Sequence, residues 1–222
     1  MKHSISTNST VARAIGVACL SFAAASAGAS VITVQTSLSN APAQASAAAY
    51  KSIVEAAVAT PTAGYGKQTV AKFDNLSNGA LFGANSNVAT EYTVDFVVSG
   101  ADAGAYQFRF GVDFGRGGAV FMDNVQVALN TQNMWWSQSY ANQAQYFLIS
   151  PTLQAGKHTI QIFGLEDCCD GSAQGQYKSA SMANFATLSA TDGMSPSIPE
   201  PASVALFGLA AAALVASRRK QA

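Results

Sequence analysis

Two cysteines stand side by side at Cys168-Cys169, with Glu166, Asp167 and Asp170 around them. Consecutive Cα atoms lie about 3.8 Å apart, below the usual 4.4–6.8 Å for a disulfide, so a bond between them closes a small strained ring. An oxidising compartment favours that bond, and Cys19 is the only other cysteine. The chemistry expected is an intramolecular vicinal disulfide, with free thiols or an intermolecular bridge as the alternatives. Zinc does not fit, because neighbouring cysteines point apart and His158 is the only histidine after His3. The three carboxylates offer the oxygen ligands Ca²⁺ takes. Their spacing is not that of an EF-hand, and a solvated acidic loop is the plainer reading, so no metal site and no cofactor are assigned.

Trp135-Trp136 is followed by Ser137, Gln138 and Tyr140. Exposed aromatics beside amides suit the apolar face of a sugar. The plainer reading puts one Trp in the core and leaves the other capping a sheet edge. Together Trp135, Trp136, Glu166, Asp167 and Asp170 form the candidate ligand surface. Catalytic groupings are wanting. His158 shares a strand phase with Ile160 and Ile162, which puts it on an apolar face as a satisfied residue. There is no Gly-x-Ser-x-Gly elbow and no Walker loop. Gly115 to Gly118 lacks the strand-to-helix setting of a dinucleotide site. Glu166 and Asp167 are the carboxylates a glycan hydrolase would use, yet adjacent acids usually solvate a loop. The expectation is no enzyme.

The two ends read as addresses. Lys2 and Arg13 form a positive n-region, Ala14 to Ala25 is apolar, and Ala27-Gly28-Ala29 is a small-x-small site. That is a secretory signal peptide cut by signal peptidase after Ala29. At the other end, Pro199-Glu200-Pro201 precedes an apolar stretch from Ala202 to Ala216 and then Arg218-Arg219-Lys220. A helix of that length spans about 22 Å, short of the roughly 30 Å hydrocarbon core. It serves as a transient membrane anchor, with the basic end cytoplasmic.

This three-part tail resembles the PEP-CTERM sorting signal of Gram-negative bacteria. The resemblance implies recognition by an exosortase, a membrane cysteine transpeptidase, with Pro199, Glu200 and Pro201 as recognition residues and Arg218 with Arg219 as the retention end. It also implies an inner-membrane intermediate, then a place on the cell surface or in the extracellular matrix, alongside exopolysaccharide and biofilm production. Cys168-Cys169-Asp170-Gly171 resembles the Cys-Cys-x-Gly motif of a small subgroup of such proteins. Three phrases resemble the protective-antigen-type adhesion module of flocculins: Tyr106 to Phe110, Gly118 to Asp123, and Leu153 to Ile160. That module is a β-sandwich, often sugar-binding. Its calcium-binding members use an adjacent Asp pair, which this chain does not have.

These residues need a scaffold. From Lys67 onward the hydrophobic period is two: Tyr92, Val94, Phe96 and Val98 alternate with Glu91, Thr93 and Asp95, and Tyr106, Phe108 and Phe110 alternate with Gln107 and Arg109. Such strands have one buried and one wet face. Seven or eight of them, punctuated by glycine clusters, predict an all-β fold, a single antiparallel, jelly-roll-like β-sandwich. An N-terminal signal helix, one short Ala-rich helix within 42–59 and the C-terminal hydrophobic helix complete it. The Ala-rich helix is expected to pack across one end of a sheet. The domain reading is 1–29 signal peptide, 30–60 strand plus helix, 61–190 sandwich, 191–198 linker and 199–222 tail. Phe114 to Ala119 reads as a hairpin that sets Arg109 opposite Asp123. Only 11% of residues are charged. Between Ser30 and Pro196 seven positives face eleven negatives, a net of −4, which excludes a nucleic-acid binder. The function expected is an exported non-catalytic surface or matrix protein. The alternatives are a carbohydrate-binding module on exopolysaccharide and a secreted glycan hydrolase.

Overall fold

The computed structural model describes residues 30–60 and 62–194. Its strands are β1 (Val31–Leu38), β2 (Lys67–Val70), β3 (Ser86–Val98), β4 (Gly104–Gly111), β5 (Gly118–Met122), β6 (Val125–Asn130), β7 (Phe147–Ile149), β8 (Thr152–Leu153), β9 (Gly156–Cys168), β10 (Gln174–Ser179) and β11 (Ala186–Thr187). Two antiparallel sheets form the expected sandwich. One runs β2-β1-β3-β9-β5-β6 and the other β11-β10-β4-β7, with β8 on the start of β4. The segment set apart in sequence as 30–60 belongs to the sandwich, because β1 lies between β2 and β3.

The alternation read in β3 and β4 is the inner face. Tyr92, Val94 and Phe96 meet Phe108 and Phe110 across the sandwich, with Ile160 and Ile162 beside them from β9. Phe96 and Phe108 pack at 5.6 Å between ring centroids, and Phe73 lies 5.8 Å from Phe110.

Helix α1 (Ala47–Val58) departs from expectation. It lies across the outer face of the six-stranded sheet rather than one end of it, and buries Ala47, Tyr50 and Val54 on Ala89, Ala119, Phe121, Phe163 and Leu165. Ser46 caps it by accepting from the Ala49 N–H at 3.2 Å, a bond worth about 1 kcal/mol. The middle of this sheet is therefore buried on both faces. That is why β9 reads Ile162-Phe163-Gly164-Leu165-Glu166 without alternation.

The hairpin expected at Phe114 to Ala119 is absent. Residues 112–117 carry the chain from one sheet to the other, since β4 and β5 belong to different sheets. Phe114 lies across Gly164, where a Cβ would collide with its ring, so the crossing packs on the core and does not turn back on itself. Arg109 and Asp123 consequently do not pair. Arg109 sets its guanidinium carbon over the rings of Tyr140 and Phe185, at 4.0 and 4.1 Å from their centres, and donates to Gln176 at 2.8 Å. Asp123 accepts from His158 Nδ1 at 2.8 Å and from the Thr159 N–H at 2.9 Å. His158 also meets the Gln154 carbonyl at 2.9 Å and the Phe96 ring at 5.6 Å. Both its nitrogens are used at the sheet end, which fits a satisfied residue and not a free base.

The sandwich has two distinct poles. Ser86 pairs with Cys168 at one end of the β3–β9 ladder, and Val98 pairs with Gly156 at the other. Over thirteen residues that is on the order of 40 Å. Ser30 and Met194, the two ends of the described chain, meet at the Val98 pole, where the Ser30 hydroxyl donates to the Met194 carbonyl at 3.2 Å.

Candidate functional site at the disulfide pole

The opposite pole gathers the residues singled out in sequence. Cys168 ends β9 and is joined to Cys169 by a vicinal disulfide, with Cα atoms 3.7 Å apart. Cys169 takes a left-handed φ of 71°, which turns the chain sharply off the strand. The next residues are fastened one by one. The Asp170 N–H donates to the Asn85 carbonyl at 3.0 Å. The Asp170 carboxylate accepts from the Asn78 N–H at 2.5 Å, at the start of α2 (Asn78–Phe82). The Gly171 N–H donates to Asp113 Oδ2 at 2.7 Å. Ser172 donates to Asn75 Oδ1 at 2.7 Å, and its carbonyl accepts from the indole nitrogen of Trp135, also at 2.7 Å.

Glu166 lies behind the knuckle and is 3% exposed. Its carboxylate accepts from the backbone N–H of Gly115, and from those of Asp167 and Cys168 at 2.9 Å each. Asp167 is exposed and stands 3.9 Å from Arg116 Nε. Arg116 itself donates to the Ala41 carbonyl at 3.0 Å. Burial pushes Glu166 up to about 7, against the backbone hydrogen bonds that pull it down. It pushes Asp170 up to about 6 and raises Asp113 as well, and Asp113 adds repulsion to both. These acids act first as backbone anchors. Among the described residues no group of three such side chains is set to hold a metal ion.

The tryptophans divide the two roles between them. Trp135 is wholly buried, because Gly111 leaves room for its ring where a Cβ would collide. As an exposed ligand residue it is corrected: it is core. Trp136 is 68% exposed. A Cβ on Gly171 would meet Asp113 Oδ2 and lie 3.3 Å from Gln138 Nε2, so the tryptophan loop lies directly on the cysteine loop. Glu166 is likewise corrected from ligand surface to buried anchor. Trp136, Asp167 and the Cys168–Cys169 ring remain accessible at this pole, with Asp170 half-buried.

Sequence reasoning passed over the anchoring roles of Asp113, Asn75 and Asn78. Each acts through a loop contact distant in sequence. The one local signal was the set of Asn and Asp residues in loops, some with positive φ, as at Asn75. Ala27, Ala29, Pro199, Glu200, Pro201, Arg218 and Arg219 lie outside the described residues. Among those described, no helix is long and apolar enough to cross a membrane.

The chain is thus an antiparallel β-sandwich with a disulfide-braced loop pole. Residues 197–220 match the PEP-CTERM protein-sorting motif. The tail marks an exported protein, sorted by an exosortase, processed at the membrane and placed on the cell surface. No curated protein matches the chain. Among solved structures, a PA14 sugar-binding domain from an RTX adhesin is 14% identical, over 76% of this chain and 99% of its own, with TM-score 0.49. The PA14 domain of the MpAFP antifreeze protein is 11% identical, over 72% and 87%, with TM-score 0.45. The A domain of epithelial adhesin 6 from Candida glabrata, in complex with Galβ1-3GlcNAc, is 12% identical, over 74% and 86%, with TM-score 0.42.

Proposed function

We propose that this exported protein is a non-catalytic glycan binder of the cell surface or biofilm matrix, and that it holds exopolysaccharide at the disulfide pole. The observation that carries the reading is the exposed Trp136 on a loop fastened to the cysteine knuckle, at the pole away from the chain ends. An indole face takes the C–H face of a pyranose, and nearby amides and carboxylates take its hydroxyls. Residues 124–156, which carry Trp136, contain no charged side chain. Such a surface suits an uncharged sugar better than a polyanion. By their own descriptions the PA14 domain of the RTX adhesin is sugar-binding and the epithelial adhesin 6 domain is in complex with Galβ1-3GlcNAc.

A hydrolase at the same place loses its acid, because Glu166 is buried and engaged by backbone N–H groups. Turnover of the host glycan is expected to be unchanged by Glu166→Gln and Asp167→Asn. Retention of the secreted protein on exopolysaccharide from its own host tests the main reading. Trp136→Ala is expected to lower retention about tenfold, as loss of a stacking aromatic of about 1.4 kcal/mol would. Unchanged retention would refute binding through the tryptophan.

A further inference from the structure

Ser30 is the first residue after the small-x-small site, and its backbone nitrogen donates to Asp192 Oδ1 at 3.2 Å. The same carboxylate accepts from the Met194 N–H at 3.0 Å and from the Ser189 N–H at 2.9 Å. Ser30 is 1% exposed, and its hydroxyl donates to the Met194 carbonyl at 3.2 Å. One aspartate therefore ties the first described residue to the last one ahead of the sorting tail.

We infer that Asp192 is the receptor for the α-ammonium group that signal-peptide cleavage after Ala29 creates at Ser30. The inference rests on that cleavage reading. Before cleavage the Ser30 nitrogen is a neutral amide with one N–H. Hydrolysis of the Ala29–Ser30 bond adds water across it, leaving a carboxylate on Ala29 and a protonated amine on Ser30. The neutral hydrogen bond to Asp192 then becomes a charge-assisted one, roughly twice as strong. Capture of an N-terminal amine by fitted polar groups is an established mode of recognition. Here the captured amine belongs to the same chain. Because Asp192 and Ser30 both hold Met194, cleavage at one end fixes the point from which the tail departs, five residues before Pro199.

The charged groups around the pair are of both signs. Tyr177 donates to the Asp192 carbonyl at 2.7 Å, and Asp102 and Tyr106 act on Tyr177. Asp95 pairs across from Val31, next in chain. The neighbouring cations are Lys72, bridged to Ser189, and Lys157 beyond Asp95 on the next strand.

The test uses the processed protein secreted by its host. Intact mass gives the mature start. The rate of acetylation of the N-terminal amine across pH, read on the N-terminal peptide, gives its pKa. The expected result is a chain beginning at Ser30 whose amine titrates about one unit above the ordinary value of about 7.7–8.0. In Asp192→Asn it returns to that range and reacts several-fold faster at pH 8. A start elsewhere overturns the cleavage reading and the inference with it. A Ser30 start with an ordinary titration overturns the inference alone. The wild-type titration decides even if the variant does not accumulate.

Discussion

The indole nitrogen of Trp135 donates to the carbonyl of Ser172, 37 residues away, at 2.7 Å. This bond fastens the tryptophan loop to the cysteine loop, so the two adjacent tryptophans have opposite tasks. Trp135 packs its ring over Gly111 and 4.6 Å from Tyr140. Trp135→Ala should cost about 3–5 kcal/mol, as large-to-small core changes do, and loosen both loops. Trp136→Ala should leave the unfolding temperature within about 2 °C of wild type. Calorimetry on the pair checks this, and equal losses would contradict the division.

Reduction of the Cys168–Cys169 ring should lower the unfolding temperature by less than about 3 °C. Disulfide stabilisation through chain entropy grows with the loop closed, and this ring closes almost none. The loop has independent anchors at Asn85, Asn78, Asp113 and Asn75. Thermal unfolding with and without reductant measures the effect. A fall of about 10 °C would mean that the ring props the pole against the core.

The sandwich was legible because period-two alternation survives wherever one face is wet, as in β3 and β4. The vicinal disulfide was legible because it is local. The crossing at 112–117 was not, since Gly115 packs close against Glu166 and Asp167 and Gly117 against Asn130 and Tyr50, and the same residues in sequence read as a hairpin. The position of α1 over the sheet was hidden for a related reason. Phe163 and Leu165 looked like ordinary strand residues, although they face a helix more than a hundred residues earlier. The anchoring roles of Glu166 and Asp113 depend on backbone N–H groups, which no side-chain pattern announces.

Arg109 and Asp123 should show no energetic coupling. Arg109 is held by Tyr140, Phe185 and Gln176 on the outer face of the smaller sheet, whereas Asp123 holds His158 at the end of the larger one. A double-mutant cycle on Arg109→Ala and Asp123→Ala should give an interaction below about 0.5 kcal/mol, as for independent sites. The Asp123–His158 cycle should exceed it at pH 6. Partial burial lowers the imidazole pKa, but the hydrogen bonds that its ring nitrogens donate to Asp123 and to the Gln154 carbonyl outweigh it and hold the pKa above its ordinary value. Arg109→Lys should also destabilise, because an ammonium does not stack between two rings as a guanidinium does.

Stability should fall as pH rises from about 4.5 to about 7. Burial raises the folded-state pKa of Glu166 to about 7 and that of Asp170 to about 6, while both unfold to ordinary carboxyls. The folded state therefore binds more protons than the unfolded one in this window. By linkage its stability is fullest below the unfolded pKa and is lost as pH climbs through the folded pKa. In Glu166→Gln the proton is no longer at issue, so the upper part of the slope, between about pH 5 and 7, should flatten even where the baseline drops from a weakened hold on Gly115. Unfolding temperatures of both proteins across this range provide the comparison. Parallel curves would mean that Glu166 does not change its charge on unfolding.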